Sequence, residues 1–375
     1  MNELTFPVIF MLLIVMAEAV IIARQKRASF SWRDVVFNLN SGHIMLWLFR
    51  GLELFCYGFV VTHFSLGIVD HWPIWLVWLF TLVAWDFGFY WLHRLHHRYR
   101  LLWAVHVVHH QGEHFNLSLG VRNSWYSSLT SIPFFLLLAL MGVPLAVFMA
   151  ISILHYTIQF FNHSGVIPRF RWLEKLMVTP HHHRVHHIKS GGYANRNFGG
   201  SFIIWDKLFG SFSEPPETPH QYGIGGESAT QNPFVDSNRP FLRILGMKNG
   251  LKQPRETHYQ IKEIFLVSGT LLLFTLVIGY IYLYGYGFNG TTGVQVGLFI
   301  LLALGTVALS GLSSGYLWGK WSWFLVATMI AAWVLSAGWL MPFWLVVSGV
   351  LWLHSLLVLV GFGVTKVDKT DAQTE

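Results

Sequence analysis

Residues 74–97 read IWLVWLFTLVAWDFGFYWLHRLHH: an apolar run from Ile74 to Leu92, a single carboxylate inside it at Asp86, and three histidines at its end. A run of about 20 apolar residues is long enough to cross a hydrocarbon core of roughly 30 Å as a helix. Only a helix or a closed barrel satisfies its own backbone there. The stretch therefore predicts a membrane span ending in a histidine pair. His93 and His97 are four residues apart, so they share one helical face and can reach one ion; His96 lies about one residue off that face.

Working outward, the first half of this pattern recurs along the chain. Of the 375 residues, 54% are hydrophobic and 11% charged, with a mean hydropathy of +0.48, far from an average soluble domain. Other candidate runs are Thr5–Ala23, Leu52–Val69, Ser131–Met141, Pro144–Phe161, Ile264–Leu283, Val294–Leu312, Trp323–Leu340 and Pro342–Val364. Ser131–Met141 is short for a crossing; joined to the next run at Gly142–Pro144, it predicts a tight, re-entrant hairpin that helps form a lipid channel by returning the chain to the metal side at His163, with Phe134, Phe135, Phe148 and Phe160 near the membrane. The first run has no basic region before it and no small-residue cleavage site after it, so it is expected to be a retained span. The fold expected is an all-α, polytopic integral membrane bundle with a cytoplasmic, histidine-rich di-metal cap.

Charge supports that orientation. The net charge of +7 comes from Lys and Arg at the ends of apolar runs, where topology signals sit, and no basic patch interleaved with aromatics suggests nucleic acid. Basic loops at Arg24–Arg33, His93–Arg122, His163–Lys262, Lys320 and the tail with Lys366 and Lys369 all fall on one side. Cys56, the sole cysteine, excludes an intramolecular disulfide and any cysteine cluster.

Histidine is unevenly spread: 14 of 20 lie between His93 and His187. The chain divides accordingly into N-terminal spans (1–80), a histidine-box region (81–213), a Pro-, Gly- and Ser-rich linker (214–260) and a four-span unit with its tail (261–375), which carries no catalytic motif.

The second box, HVVHH at 106–110, sets His106, His109 and His110 at i, i+3 and i+4. The third, HHHRVHH at 181–187, repeats the spacing as His183, His186 and His187, with His181 and His182 before it. His163 ends the fifth run, and Gln159 and His155 lie one and two turns earlier. A lone histidine such as His43, His63, His71, His220 or His354 is ordinarily a hydrogen-bonded polar residue; three boxes of matching spacing on one side of a membrane are not. Neutral imidazole suits Zn, Cu, Fe and Ni. One tetrahedral zinc takes four groups or fewer, whereas eight or more histidines fill most of two higher-coordinate sites, which favours a dinuclear centre, of iron.

These residues resemble the fatty acid hydroxylase superfamily of membrane di-iron enzymes, which includes sterol desaturases. The resemblance covers about residues 80–213 and rests on DFGFYWLHRLHH, HVVHH, TPHHHRVHH and NRNFGGSFIIWDKLFGSF in that order. HHQGEHFNLSLGVRNS at 109–124 is most similar to the alkylglycerol monooxygenase-like branch. By resemblance, the ligands are His93, His97, His106, His109, His110, His183, His186 and His187, with His163 as a ninth. Several hydroxylases of the superfamily carry histidine where this chain has Gln159; the alkylglycerol branch has glutamine.

The resemblance implies that two Fe ions and O2 oxidise a C–H bond of a lipid, by hydroxylation or desaturation. In the closer branch, hydroxylation beside an ether oxygen gives a hemiacetal that collapses to an aldehyde, with tetrahydrobiopterin as reductant. No Rossmann, flavin or cytochrome signature is present, so electrons come from a separate donor protein or a small pterin. Asp86, as an intramembrane carboxylate, is a candidate partner of a histidine on another helix. Glu113 and Asn116 are candidates for substrate or ligand contact, and Asp206 reads as structural. The alternatives are a sterol or fatty-acyl desaturase or hydroxylase of the same superfamily and, from another class, a histidine-lined metal transporter. Transport sites lie near the midplane on broken helices, unlike these boxes.

Overall fold

A computed structural model describes residues 5–25, 30–189, 192–216, 221–225, 230, 232–247, 251, 257–285, 292–337 and 341–366. His220, Lys369 and the last residues of the run predicted to Leu340 lie outside them. The chain is helical: α1 Thr5–Arg24, α2 Trp32–Ser41, α3 His43–Phe64, α4 Ile74–Arg98, α5 Arg100–His110, α6 Ser127–Leu140, α7 Leu145–Phe161, α8 Pro180–His186, α9 Ile204–Leu208, α10 Pro233–Ile244, α11 Glu263–Tyr284, α12 Gly293–Ser313, α13 Leu317–Ser336 and α14 Pro342–Leu359. Two three-residue strands, β1 Tyr259–Ile261 and β2 Val364–Lys366, pair antiparallel and tie together the two ends of the last four-helix unit.

Among the described residues, α1, the α2–α3 stretch, α4, α11, α12 and α14 are long and apolar enough to cross a membrane, which makes the chain multi-pass. Helix α13 has the length, but four tryptophans and Lys320 lower its hydropathy. Helices α6 and α7, of 14 and 17 residues, form the predicted hairpin. Its turn uses Gly142 at φ +93°, a conformation glycine adopts without steric cost. The run expected at Leu52–Val69 is instead a helix over His43–Phe64. Arg50 makes the start of that helix look like a loop, but its charge is paired inside the helix with Glu53, one turn on.

Hydrophobic clusters hold the bundle together. Trp85, Tyr57, Phe135 and Phe148 pack α3, α4, α6 and α7 together. Leu273, Val277, Leu309, Trp323 and Leu351 fill the α11–α14 unit, and Val36 and Ile44 from α2 and α3 join the same core. Polar ties reinforce this seam, with Arg33 donating to Ser313 O (2.8 Å) and Asn40 to Thr306 O (3.0 Å). Helices α12 and α13 approach so closely that a Cβ on Gly319 would overlap the backbone of Gly311.

The stretch 214–260, read as a linker, contains α10, capped by Asn232, whose side chain accepts from Phe234 N (3.1 Å) and Val235 N (3.2 Å). What seats this helix is a buried ion pair, Arg122 to Asp236 at 3.5 Å. Arg122 also donates to Val108 O (2.5 Å), Asn38 Oδ1 (3.1 Å) and Gln111 Oε1 (2.9 Å) and lies over the Phe37 ring. Removing one member of a buried pair leaves an uncompensated charge, at a cost of roughly 3–5 kcal/mol. Arg122→Ala is therefore expected to lower the melting temperature in detergent markedly, and Asp236→Asn in the same chain to restore part of the loss. Additive destabilisation in the double variant would show that the pair does not hold α10.

Candidate metal centre

The chain brings its three boxes together through three local devices. Extended backbone at Tyr99 separates α4 from α5, so the second box folds back on the first, with the His93 and His106 rings 4.8 Å apart. Helix α7 ends at Phe161 and delivers His163. Pro180, at the first position of α8, starts a seven-residue helix that carries the third box.

The nine predicted ligands gather into two groups. One nitrogen each from His93, His97, His106, His110 and His186 lie within 4.8 Å of one another, and so do those of His109, His163, His183 and His187. The spacing sorts them. In each box the i, i+4 pair (93/97, 106/110, 183/187) shares one group, while the i+3 histidine of the second and third boxes, His109 and His186, turns to the other. The i, i+3, i+4 spacing of the second and third boxes thus does not bring all three rings to one group: α5 and α8 both straddle the two.

The nitrogens that converge are Nε2. His186 Nε2 lies 3.0 Å from His110 Nε2, which is 3.2 Å from His106 Nε2; in the other group His183, His163 and His109 are linked at 3.0 and 3.1 Å, and His187 meets His183 at 3.2 Å. On four of the nine rings the opposite nitrogen is committed to a backbone carbonyl, while Nδ1 of His183 and of His187 is buried without a partner among the described residues. Nδ1 of His93 donates to Phe198 O (2.8 Å), of His109 to Arg122 O (3.0 Å), of His163 to Gln159 O (2.8 Å) and of His186 to Arg196 O (2.8 Å). A neutral imidazole with its proton on Nδ1 presents a bare lone pair at Nε2. His109 and His163 consequently face each other lone pair to lone pair, an arrangement that requires a cation between or beside them.

A proton does not fit that need. Burial pushes His109 down to about 4 and holds His106, His110, His163, His183, His186 and His187 well below the usual imidazole range. Metal ions do fit: imidazole–metal bonds of about 2.1 Å at right angles put neighbouring nitrogens about 3.0 Å apart. The Nε2 atoms of His93 and His97 are buried without a partner among the described residues, as ligand atoms awaiting an ion would be.

The carbonyls of Arg196 and Phe198 flank Asn197, which adopts φ +53°. Its amide donates to His182 O (3.0 Å) and Ser213 O (2.8 Å), and Asp206 accepts from Phe198 N (2.8 Å), Gly199 N (2.7 Å) and Ser211 Oγ (2.7 Å). Asp206 is structural, as expected, and what it shapes is the loop that orients His93 and His186.

Other expected residues stand elsewhere. Asp86 does meet a histidine on another helix, but this is His155, at 3.1 Å, outside both groups; the carboxylate also accepts from Ser201 N (2.8 Å), Phe202 N (3.1 Å) and Trp205 Nε1 (2.8 Å). Gln159 turns its side chain to His155 (3.3 Å) while its carbonyl holds His163. Asn116, expected at the substrate or the ligands, instead caps the Leu117–Val121 turn by accepting from Ser118 N (3.0 Å), and Glu113 is exposed and in neither group. His96 bonds Thr130 (2.9 Å).

Two residues escape the sequence reading. Glu18, buried in α1, accepts from Leu117 N (2.5 Å), Ser164 Oγ (2.6 Å) and Gly165 N (2.8 Å), so the first span grips the loop beside His163. The rule that singled out Asp86, a carboxylate inside a span, applies equally to Glu18. Arg50 is hidden because it lies just before the apolar run expected at Leu52–Val69.

A cavity of about 360 Å³ runs from His93, His106, His109 and His163 into the bundle. Phe10 of α1 and Ile153 and Tyr156 of α7 line it and are exposed, so it opens sideways between those helices. Of the hairpin aromatics expected near the membrane, Phe160 lines this cavity, Phe135 and Phe148 are consumed by the core and Phe134 packs against it. On its wall, Arg50 pairs with Glu53, contacts Ser152 and lies 5.1 Å over the Tyr156 ring, while Ser131 donates to Glu53 (2.8 Å).

Comparison with known proteins agrees with this site. The fatty acid hydroxylase family matches residues 78–211. The chain is similar to alkylglycerol monooxygenase of Xenopus tropicalis (32% identity, over 55% of this chain and 48% of that protein) and of Homo sapiens (37%, over 45% and 38%). It is also similar to an ornithine lipid hydroxylase of Rhizobium tropici (34%, over 50% and 57%). The chain thus spans about half or less of the alkylglycerol monooxygenases it matches. No solved structure matches.

The depressed imidazoles carry a pH signature. Unfolding returns each to an ordinary value near 6.5, so below that pH the unfolded chain takes up protons that the folded one refuses. Stability of the metal-free protein is expected to be full above about 6.5 and to fall as the pH drops toward 4, through the His109 value. Melting temperatures in detergent at pH 7.5, 6 and 5 check this; a flat profile would mean that the site already holds protons.

Proposed function

Starting from residues 78–211 as a fatty acid hydroxylase domain, we propose that the chain is a membrane oxygenase in which two iron ions use O2 to oxidise a C–H bond of a lipid seated in the cavity. His93, His97, His106, His110 and His186 would hold one ion, and His109, His163, His183 and His187 the other. The observation that carries the reading is the approach of His109 Nε2 and His163 Nε2 to 3.1 Å while the Nδ1 of each is committed to a backbone carbonyl. Five donors exceed what tetrahedral zinc accepts, which favours iron. When bound and reduced, the ions supply O2 activation.

The chain's own residues do the rest. The backbone carbonyls of Arg122, Gln159, Arg196 and Phe198 keep four ligand rings in the tautomer that presents Nε2. The apolar cavity excludes water from the carbon beside His93, His106, His109 and His163 and admits an acyl or alkyl chain from the membrane. Arg50, Tyr156 and Ser131 give this cavity a polar stretch, which suits a lipid bearing oxygen rather than a bare hydrocarbon. An alkyl ether lipid fits: one oxygen atom enters the C–H bond beside the ether, and the hemiacetal collapses to an aldehyde and a glycerol-backbone alcohol. The other oxygen atom leaves as water, with two electrons from an external reductant, tetrahydrobiopterin or a donor protein. In this reading the histidine boxes lie on the cytoplasmic side, an orientation that the basic residues of the adjoining loops support.

Two outcomes are expected. Anaerobic reconstitution yields about two irons per chain; His186→Ala loses iron and product formation beyond the roughly 10–100-fold typical of a ligand's outer partner, whereas His181→Ala, in neither group, keeps most of both. One tightly bound zinc, or an active His186 variant, would refute the di-iron reading. Thr157→Trp, on the cavity wall, shifts the chain length of the lipid oxidised without changing iron content; equal loss of iron would make α7 merely structural.

A further inference from the structure

The cap carries a surface that the metal centre does not use. Phe170, Trp172 and Leu176, in the stretch after His163, are 44%, 70% and 67% exposed, and Ile204 and Leu208 of α9 are 57% and 66% exposed. The two stretches form one unit: Ile203 N donates to Leu176 O (3.1 Å), Val178 N to Ser201 O (2.9 Å) and Lys207 Nζ to Lys175 O (3.2 Å). Ile204 and Leu208 stand at i and i+4 on one face. Among these apolar residues in the sequence lie Arg171, Lys175 and Lys207, all exposed, whereas Arg169 is paired with Glu174 (2.7 Å).

The depth of this surface is set by α4. Ser201 N, Phe202 N and Trp205 Nε1 all bond the Asp86 carboxylate, and the Trp205 ring lies 5.0 Å from Phe87. Asp86 is twelve residues from each end of α4, roughly 18 Å along the axis. A segment tied there lies beside the interior of a candidate span and not above its end. Apolar side chains facing outward at that level, next to aromatic and basic residues, have the composition of an interfacial anchor.

We infer that residues 168–176 and 201–208 form a foot by which the histidine cap sits in one leaflet of the bilayer, with Phe170, Trp172, Leu176, Ile204 and Leu208 among acyl chains and Arg171, Lys175 and Lys207 at anionic headgroups. Opposite charge near the surface, within a Debye length, would make this seating depend on anionic phospholipid. The foot is independent of the reaction assigned to the centre.

The test uses the full chain with Cys56→Ser and a single spin-labelled cysteine at Leu176, Ile204 or Leu208, in vesicles of phosphatidylcholine with phosphatidylglycerol. Leu79→Cys on the exposed face of α4 serves as lipid control and Glu113→Cys as water control. Each label replaces an exposed side chain, and an unchanged melting temperature checks folding. Relaxation by O2 is expected to exceed that by a water-soluble nickel chelate at all three positions, as at Leu79. Nickel dominance at any of them, as for a water-facing or protein-docking surface, overturns the foot. In phosphatidylcholine alone the Ile204 label should sit shallower, and Lys175→Gln with Lys207→Gln should abolish that difference. A depth indifferent to lipid charge, or a difference surviving the double substitution, overturns the headgroup assignment.

Discussion

Imidazoles that have given their one proton to a backbone carbonyl can meet at Nε2 only around a cation. That constraint organises the histidine region. The carbonyls of Arg122, Gln159, Arg196 and Phe198 fix the donors, and much of the surrounding architecture serves to place those carbonyls. Arg122 is locked by Val108, Asn38, Gln111 and Asp236, while Asn197 and Asp206 shape the loop that presents Arg196 and Phe198. Burying a charged imidazole costs far more than burying a neutral one, and burial keeps His106, His109, His110, His163, His183, His186 and His187 on the neutral side.

Much of this is legible in the sequence because helical geometry is local. The i, i+4 pairs name their own faces, so His93/His97, His106/His110 and His183/His187 are each found together. The apolar runs mark the helices, and the short pair of runs meeting at Gly142 declares a hairpin by length and turn residues alone. The division of His109 and His186 between opposite groups is not legible, because it depends on how α5 and α8 cross, which is set by tertiary packing.

Capping and long-range polar ties are the other blind spot. Asn116 has the residue type of a substrate contact and the job of a cap, a choice made by a backbone N–H two residues away. Asp86 does pair with a histidine on a neighbouring helix, but nothing local distinguishes His155 from the ligands. The expected linker gives way to α10 because Asn232 and Pro233, which are common loop residues, also make a helix start. Arg50 and Glu53 look like a span boundary until they are seen to neutralise each other.

Because α8 supplies His186 to one group and His183 and His187 to the other within a single turn, the two halves of the centre share a rigid piece of backbone. An ion entering either half would draw this helix into register and so assemble part of the other. If two ions bind as proposed, their uptake would then be cooperative, and a singly loaded centre would be a scarce species at equilibrium.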